Sequence, residues 1–303
     1  MGQYINPLGG RNIISNNYSY KNTDSFLSYY WVVSVMKAKI GFIGAGRMAG
    51  AMIKGLIARN VYTPDEIVAC APSKETRDRM TQTCKIKMYE KAGDLVDLTD
   101  VLVLAIKPKL IASLFKDEGV RLEGRHLLIS IAAGVKLKTL QSYAPEARIV
   151  RVMPNHCCMV LEGGSGYVMG EKCTPGDKAT VDTILSSFGL ATEVRESDLD
   201  AVTGICGSSP AYLYMVAHAL IEAGMKYGLT EEQATLLAGQ SLVGAGKMVL
   251  ESGMGTDALV DGVCSPGGTT IEGVKVLRDE HMEDIFVRCV DACVKRSVEM
   301  GKE

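Results

Sequence analysis

An α/β domain built on a mostly parallel sheet, followed by an all-helical half, is the fold class that this 303-residue sequence predicts. Three observations carry it. Apolar segments of strand length alternate with helical patterns as far as residue 197. A glycine-rich turn, Gly44-Ala45-Gly46, stands between the first of those strands and the first helix. From residue 198 the strands stop, and long segments rich in Ala, Leu, Met and Gly keep a helical period.

Residues 1–35 come first and differ in composition from the remainder of the chain. They are rich in Asn, Ser and Tyr, and only Arg11, Lys21 and Asp24 are charged. The apolar run at 29–36 is interrupted by Ser34 and is too short to span a bilayer. No basic region with a small-residue cleavage site marks a secretory signal. Met36 sits directly before the first strand, so this segment is expected to be a disordered extension or the product of an upstream start.

Ile40, Phe42 and Ile43 form a short apolar strand, and Gly44 to Ala49 fit the pattern G-x-G-x-x-A in front of a helix. That context identifies a Rossmann-like dinucleotide turn. Gly44 permits the tight turn, Gly46 admits a pyrophosphate, Ala49 lets the helix lie on the sheet, and the helix amides face the phosphates. Ile43, Gly44, Ala45, Gly46, Arg47 and Met48 are therefore cofactor-binding candidates.

Further strands are expected at 66–70, 101–106, 126–131 and 148–153, with weaker ones at 86–88, 166–169 and 191–194. An NAD-binding domain usually ends its second strand on an acid that holds the ribose 2′-hydroxyl. Here that place is taken by Ala71-Pro72-Ser73-Lys74, and Glu66 lies at the wrong end of the strand. Ser73 and Lys74, with Arg77 nearby, suit a 2′-phosphate, so NADP(H) is the expected cofactor and NAD(H) the alternative. Surface cations that merely solvate a helix are the competing explanation for Lys74 and Arg77. Ala105-Ile106-Lys107-Pro108 and Ala132-Ala133-Gly134 end two later strands at the carboxyl edge, where open parallel sheets bind ligands. Ala105, Ile106, Lys107, Pro108, Ala132 and Ala133 join the cofactor set.

In the helical half the expected helices are 210–227, 231–252, 269–277 and 282–300. Several are apolar around most of their circumference, which requires burial on more than one side, and a second copy of the chain supplies it economically. Before the third helix, Ser265-Pro266-Gly267-Gly268-Thr269-Thr270 offers backbone amides to an anion such as a carboxylate. An ordinary loop with a Thr helix cap is the alternative.

Composition narrows the function. A formal net charge of −2 and a pI near 6.2 give no electrostatic support for nucleic-acid binding. At 47% hydrophobic and 22% charged, the chain suits a soluble, cytoplasmic globular protein with no membrane partner. Nine cysteines without a C-x-x-C pair fit a reducing compartment, and four scattered histidines give no metal-ligand spacing, so no metal is expected.

Taken in order, Phe42-Ile43 with Gly44-Ala45-Gly46, Ala105 to Pro108, Ala132 to Gly134, Ala201-Val202-Thr203-Gly204 with Ser208 and Pro210-Ala211-Tyr212, and Ser265 to Gly268 with Thr270 resemble the motifs of pyrroline-5-carboxylate reductase. The resemblance covers residues 37 to about 301. It implies an NAD(P)H-dependent reductase that makes L-proline, with a cofactor domain at 36–197 and a helical domain at 198–303 that interlocks two subunits. By the same match Thr270 is the catalytic candidate, bonding the substrate ring nitrogen, and the Gly268 and Thr269 amides hold its carboxylate. Ser265 and Gly267 complete the loop, and Glu196 falls where the family often has a substrate-side acid. Three departures stand out: Ala92 in place of a cofactor-contacting Asn, His156-Cys157 in place of Thr-Pro after Met-Pro-Asn, and Ser209 in place of the second Gly of Gly-Ser-Gly-Pro.

Two other functions compete. A hydroxyacid dehydrogenase would need a Lys one helical turn from an Asn, which Lys247 and Lys275 lack. A cofactor-binding regulatory protein without turnover is the third reading.

Overall fold

The computed structural model describes residues 38–301, so the expectations for residues 1–35 lie outside the described residues. Eight strands form one sheet: β1 (Ile40–Ile43), β2 (Ile67–Cys70), β3 (Lys87–Tyr89), β4 (Val101–Leu104), β5 (Leu127–Ser130), β6 (Arg148–Pro154), β7 (Gly163–Met169) and β8 (Gly189–Glu193). Their order is β3-β2-β1-β4-β5-β6-β7-β8. Every neighbouring pair is parallel except β6 and β7. The link between those two, residues 155–162, is too short for a crossover helix, so β7 has to return antiparallel.

Six helices cover the sheet: α1 (Arg47–Ala58), α2 (Lys74–Cys84), α3 (Gly93–Val96), α4 (Ile111–Lys116), α5 (Leu137–Tyr143) and α6 (Pro175–Ser186). Alternate residues of each central strand feed two separate cores. Phe42, Val103, Ile129 and Val150 pack with Met52, Ile53, Leu56 and Phe188 on one face. Ile43, Leu102, Leu104 and Ile149 pack with Leu95, Ile111 and Leu140 on the other. Burial on both faces explains why these strands are apolar throughout rather than alternating.

Beyond a 3-10 turn at Glu196–Asp198 the chain is helical: α7 (Leu199–Val202), a π-helical turn at Thr203–Gly207, α8 (Ser209–Lys226), α9 (Glu231–Glu251), α10 (Thr256–Val263), α11 (Thr269–Asp279) and α12 (Met282–Met300). A capping box starts α9, with Gln233 N donating to Thr230 Oγ1 at 3.2 Å and Thr230 N donating to Gln233 Oε1 at 3.0 Å. Pro210 in α8, with Ala234 and Ala238 in α9, are the buried residues of these two long helices. Met215 is 73% exposed, Leu236 69% and Leu250 67%. A single chain therefore does not satisfy the apolar faces that the sequence carries. Among the described residues no helix is long and apolar enough to cross a membrane.

Three details differ from the sequence reading. Glu66 belongs to a 3-10 turn rather than to β2, where it caps Thr63 and pairs with Lys39 at 2.8 Å. β7 starts at Gly163, because Gly163 and Gly189 approach so closely that a Cβ on Gly189 would run into the Gly163 carbonyl. The helix α10 has no counterpart among the expected helices; Gly255 and Gly262 sit at its ends and blur the period.

Candidate functional site

The carboxyl ends of β1, β4, β5 and β6 lie side by side, and the candidate cofactor residues follow them. Gly44 has φ +98°, and a Cβ there would stand 2.6 Å from the Ala105 carbonyl oxygen, so only glycine lets the turn pass over the end of β4. Gly46 has open space around it, with nothing within 4 Å of a Cβ. It is the N-cap of α1, and no side chain caps that helix. The first amides of α1 are therefore free for an anion, while Ala49 is buried against the sheet. This cradle fits the pyrophosphate of a dinucleotide. Ile43, Ala45 and Ala132 have side chains buried in the core, so they can reach a cofactor only through their backbone. Arg47 and Ala133 are exposed, and Met48, Ala105 and Ile106 are half-buried.

Arg79, which the sequence reading did not single out, donates from Nη2 to the Ala45 carbonyl at 3.0 Å and braces the turn. Nothing in the local pattern signals a partner 34 residues away.

At the end of β2, Ser73 caps α2 by accepting from Thr76 N at 3.4 Å. Lys74 pairs with Asp78 at 2.6 Å on the surface, with 80% of its side chain exposed. Such pairs are weak, so the ammonium stays available to a phosphate. Arg77 is committed elsewhere: it donates to the carbonyls of Ala71 at 2.8 Å and Pro72 at 2.7 Å, and to Glu90 at 3.2 Å. Lys107 and Pro108 come after β4, and Pro108 opens a 3-10 turn.

After β6, the buried side chain of Asn155 ties three segments together. Its Oδ1 accepts from Cys157 N at 3.1 Å and Gly164 N at 3.2 Å, and its Nδ2 donates to Cys206 Sγ at 3.5 Å. His156, exposed on this turn, hydrogen-bonds the Tyr214 hydroxyl of α8 at 3.0 Å. Of the two residues that replace Thr-Pro, His156 thus anchors the turn to the helical half, while Cys157 bonds within the turn.

The loop 265–270 is exposed apart from a half-buried Gly268. Gly267 has φ +71°, and Gly268 N donates to the Ser265 carbonyl at 3.0 Å. Gly268 is the N-cap of α11 and no side chain caps the helix, so neither Thr269 nor Thr270 serves as a cap. Thr270 lies in the first turn beside free amides. Among the described residues no hydrogen bond joins this loop to the sheet, and the main neighbour of α11 is α12.

Glu196 sits at the junction of the two halves. Its Oε1 accepts from Leu137 N at 2.7 Å and from Arg151 Nη1 at 3.3 Å. The structure therefore brings the cofactor candidates together along the sheet edge but places Glu196 and the 265–270 loop apart from one another.

Two family models match separate parts of the chain. A family described as pyrroline-5-carboxylate reductase dimerisation matches residues 196–300, and one described as NADP oxidoreductase coenzyme F420-dependent matches residues 39–134. A pyrroline-5-carboxylate reductase of Methanosarcina acetivorans is 38% identical over 266 residues, covering 88% of this chain and 98% of the relative. The structure of a pyrroline-5-carboxylate reductase from Coxiella burnetii superposes with a TM-score of 0.81 at 32% identity, over 88% of this chain and 100% of that one. The Plasmodium falciparum pyrroline carboxylate reductase with NADP bound gives 0.77 at 31% identity, over 88% and 99%.

Proposed function

Since the chain belongs to the pyrroline-5-carboxylate reductase family, we propose that it reduces 1-pyrroline-5-carboxylate to L-proline with NADPH, the last step of proline biosynthesis. The observation that carries this reading is the presence in one chain of two glycine-rich loops that each open a helix on a Gly N-cap, Gly44-Ala45-Gly46 before α1 and Ser265-Pro266-Gly267-Gly268 before α11, neither helix having a side-chain cap. Each presents free amides, the first to a pyrophosphate and the second to a carboxylate.

The cofactor, when bound, supplies hydride. The chain's residues bind and orient. The amides of Arg47 and Met48 hold the pyrophosphate, Ser73 and Lys74 meet the ribose 2′-phosphate, and the backbone from Ala105 to Pro108 and at Ala132 and Ala133 borders the nicotinamide end. On the substrate, the Gly268 and Thr269 amides hold the carboxylate, and Ser265 and Gly267 shape the loop around it. The Thr270 hydroxyl bonds the ring nitrogen. A protonated ring nitrogen makes the C=N carbon electrophilic, and an iminium forms in water unaided, so positioning carries most of the rate. Glu196, expected on the substrate side, acts from the domain junction through its bonds to Leu137 N and Arg151.

The exposed loop and the uncovered helices belong together. A second copy of the chain covers the apolar faces of α8 and α9 and closes the substrate side, so the working enzyme is a homodimer or a larger assembly of dimers. The halves divide at residues 197 and 198, the protein works in the cytoplasm, and residues 1–35 are dispensable.

NADPH oxidation measured with the cyclic imine, with 2-hydroxy acids and with 3-oxo acids tests the reading. Turnover with the imine alone is expected. Turnover with a 2-hydroxy or 3-oxo acid, or NADPH binding with no turnover, would replace it by the hydroxyacid dehydrogenase or the regulatory reading.

A further inference from the structure

A cavity of about 270 Å³ opens between the sheet and the helical half, lined by Gly134, Lys136, Arg151, Glu196, Asp200 and Ser297 among others. One ordered water needs about 10–15 Å³ of such volume, so the space admits a small organic molecule. Its walls are charged, and their hydrogen bonds are incomplete.

Arg151 projects from β6 with only 8% of its surface exposed. A guanidinium carries five N–H donors. One nitrogen donates to Glu196 Oε1 at 3.3 Å, and the others have no acceptor among the described residues. Among the described residues Arg148 Nε is the one buried side-chain polar atom left unpaired, so the free Arg151 donors reach open space. The cavity that Arg151 lines provides it. Across the cavity Asp200 accepts from Ser297 Oγ at 2.5 Å through Oδ1, and its other oxygen has no donor among the described residues. Lys136 stands at the rim, with no carboxylate partner among the described residues.

Two cations and two carboxylates balance. A simple anion entering here meets Glu196 and Asp200, and a simple cation meets Arg151 and Lys136; either suffers repulsion that offsets its attraction. A molecule with a carboxylate beside an ammonium escapes this. We infer that the cavity is a binding site for a small zwitterionic amino acid, its carboxylate on Arg151 and Lys136 and its ammonium on Asp200. The site is separate from the 265–270 loop and stands whether or not that loop binds the imine. It borders the candidate cofactor edge at Gly134, which comes directly after Ala133.

Calorimetry on the full-length protein tests this with glycine, L-alanine and L-glutamine as probes, and acetate and methylamine as carriers of one charge each. Saturable heat is expected with at least one amino acid, with acetate and methylamine at least tenfold weaker. Lys136→Ala and Asp200→Asn should each weaken the amino acid tenfold or more. Lys136→Ala should keep its melting temperature and its imine-independent NADPH affinity. Absence of saturable heat at millimolar concentrations overturns the site, as does equal binding by acetate. Unchanged affinity in both variants, or displacement of the amino acid by a cyclic imino-acid analogue of the substrate, places the binding elsewhere and overturns it too.

Discussion

Thr270 is one hydroxyl on an exposed loop, and the substrate reading depends on it more than on any other side chain. Its position in the first turn of α11, behind an N-cap supplied by Gly268, leaves the hydroxyl no capping duty. Thr270→Ala should therefore leave helix and stability intact while kcat/KM for the imine falls roughly ten- to a hundredfold, the equivalent of one hydrogen bond worth about 1–3 kcal/mol. Thr270→Ser should recover much of the loss. Steady-state kinetics beside a thermal melt check both, and an alanine variant with the original kcat/KM would remove Thr270 from the site. Cysteines give a second test at this scale. Burial pushes the Cys70 and Cys158 thiols up to about 11. A raised value keeps the thiol protonated, and only the thiolate is nucleophilic. Iodoacetamide at pH 8 should leave these two unmodified in the native protein and alkylate them after denaturation, as read by peptide mass spectrometry.

Elements meet where small residues allow it. Gly204, in the π-helical turn before α8, faces α12 so closely that a Cβ would lie 2.9 Å from Val290 Cγ1 and 3.2 Å from Val294 Cγ2. Here the glycine serves packing, since its φ is not positive. A large side chain has to push α12 away or distort the turn. Gly204→Leu should cost about 1–3 kcal/mol, the usual penalty of overpacking, and lower the melting temperature. Gly204→Ala should do so less. A leucine variant that melts with the original protein would mean that α12 is loosely held. The same closeness shows why the motif Ala201-Val202-Thr203-Gly204 ends on a glycine: there the helical half turns against its own last helix.

At the scale of the molecule, the exposed apolar faces of α8 and α9 ask for a partner, and the dimerisation family matched over residues 196–300 names one. Leu236 and Leu250, 69% and 67% exposed in the single chain, are positions where a charge costs little in the monomer and much in an apolar interface. The double variant Leu236→Glu, Leu250→Glu should shift the protein toward monomer in light scattering and lose imine reduction in step. An active monomer, or an unchanged dimer, would place the interface on another surface. Much of this was legible in the sequence. The glycine turn between strand and helix, the missing acid after the second strand and the Ser-Pro-Gly-Gly loop are local patterns, because tight turns and helix starts are decided by neighbouring residues, and they point to the fold class and to the cofactor edge and substrate loop proposed above. What neighbours do not decide was left to tertiary structure. Arg79 reaches Ala45, Arg77 is spent on Ala71, Pro72 and Glu90, Glu196 bridges Leu137 and Arg151, and Gly163 with Gly189 hides where β7 and β8 begin. Each joins positions brought together only by folding. A side chain's partner depends on the free energy of the whole packed arrangement, which no short stretch of sequence contains.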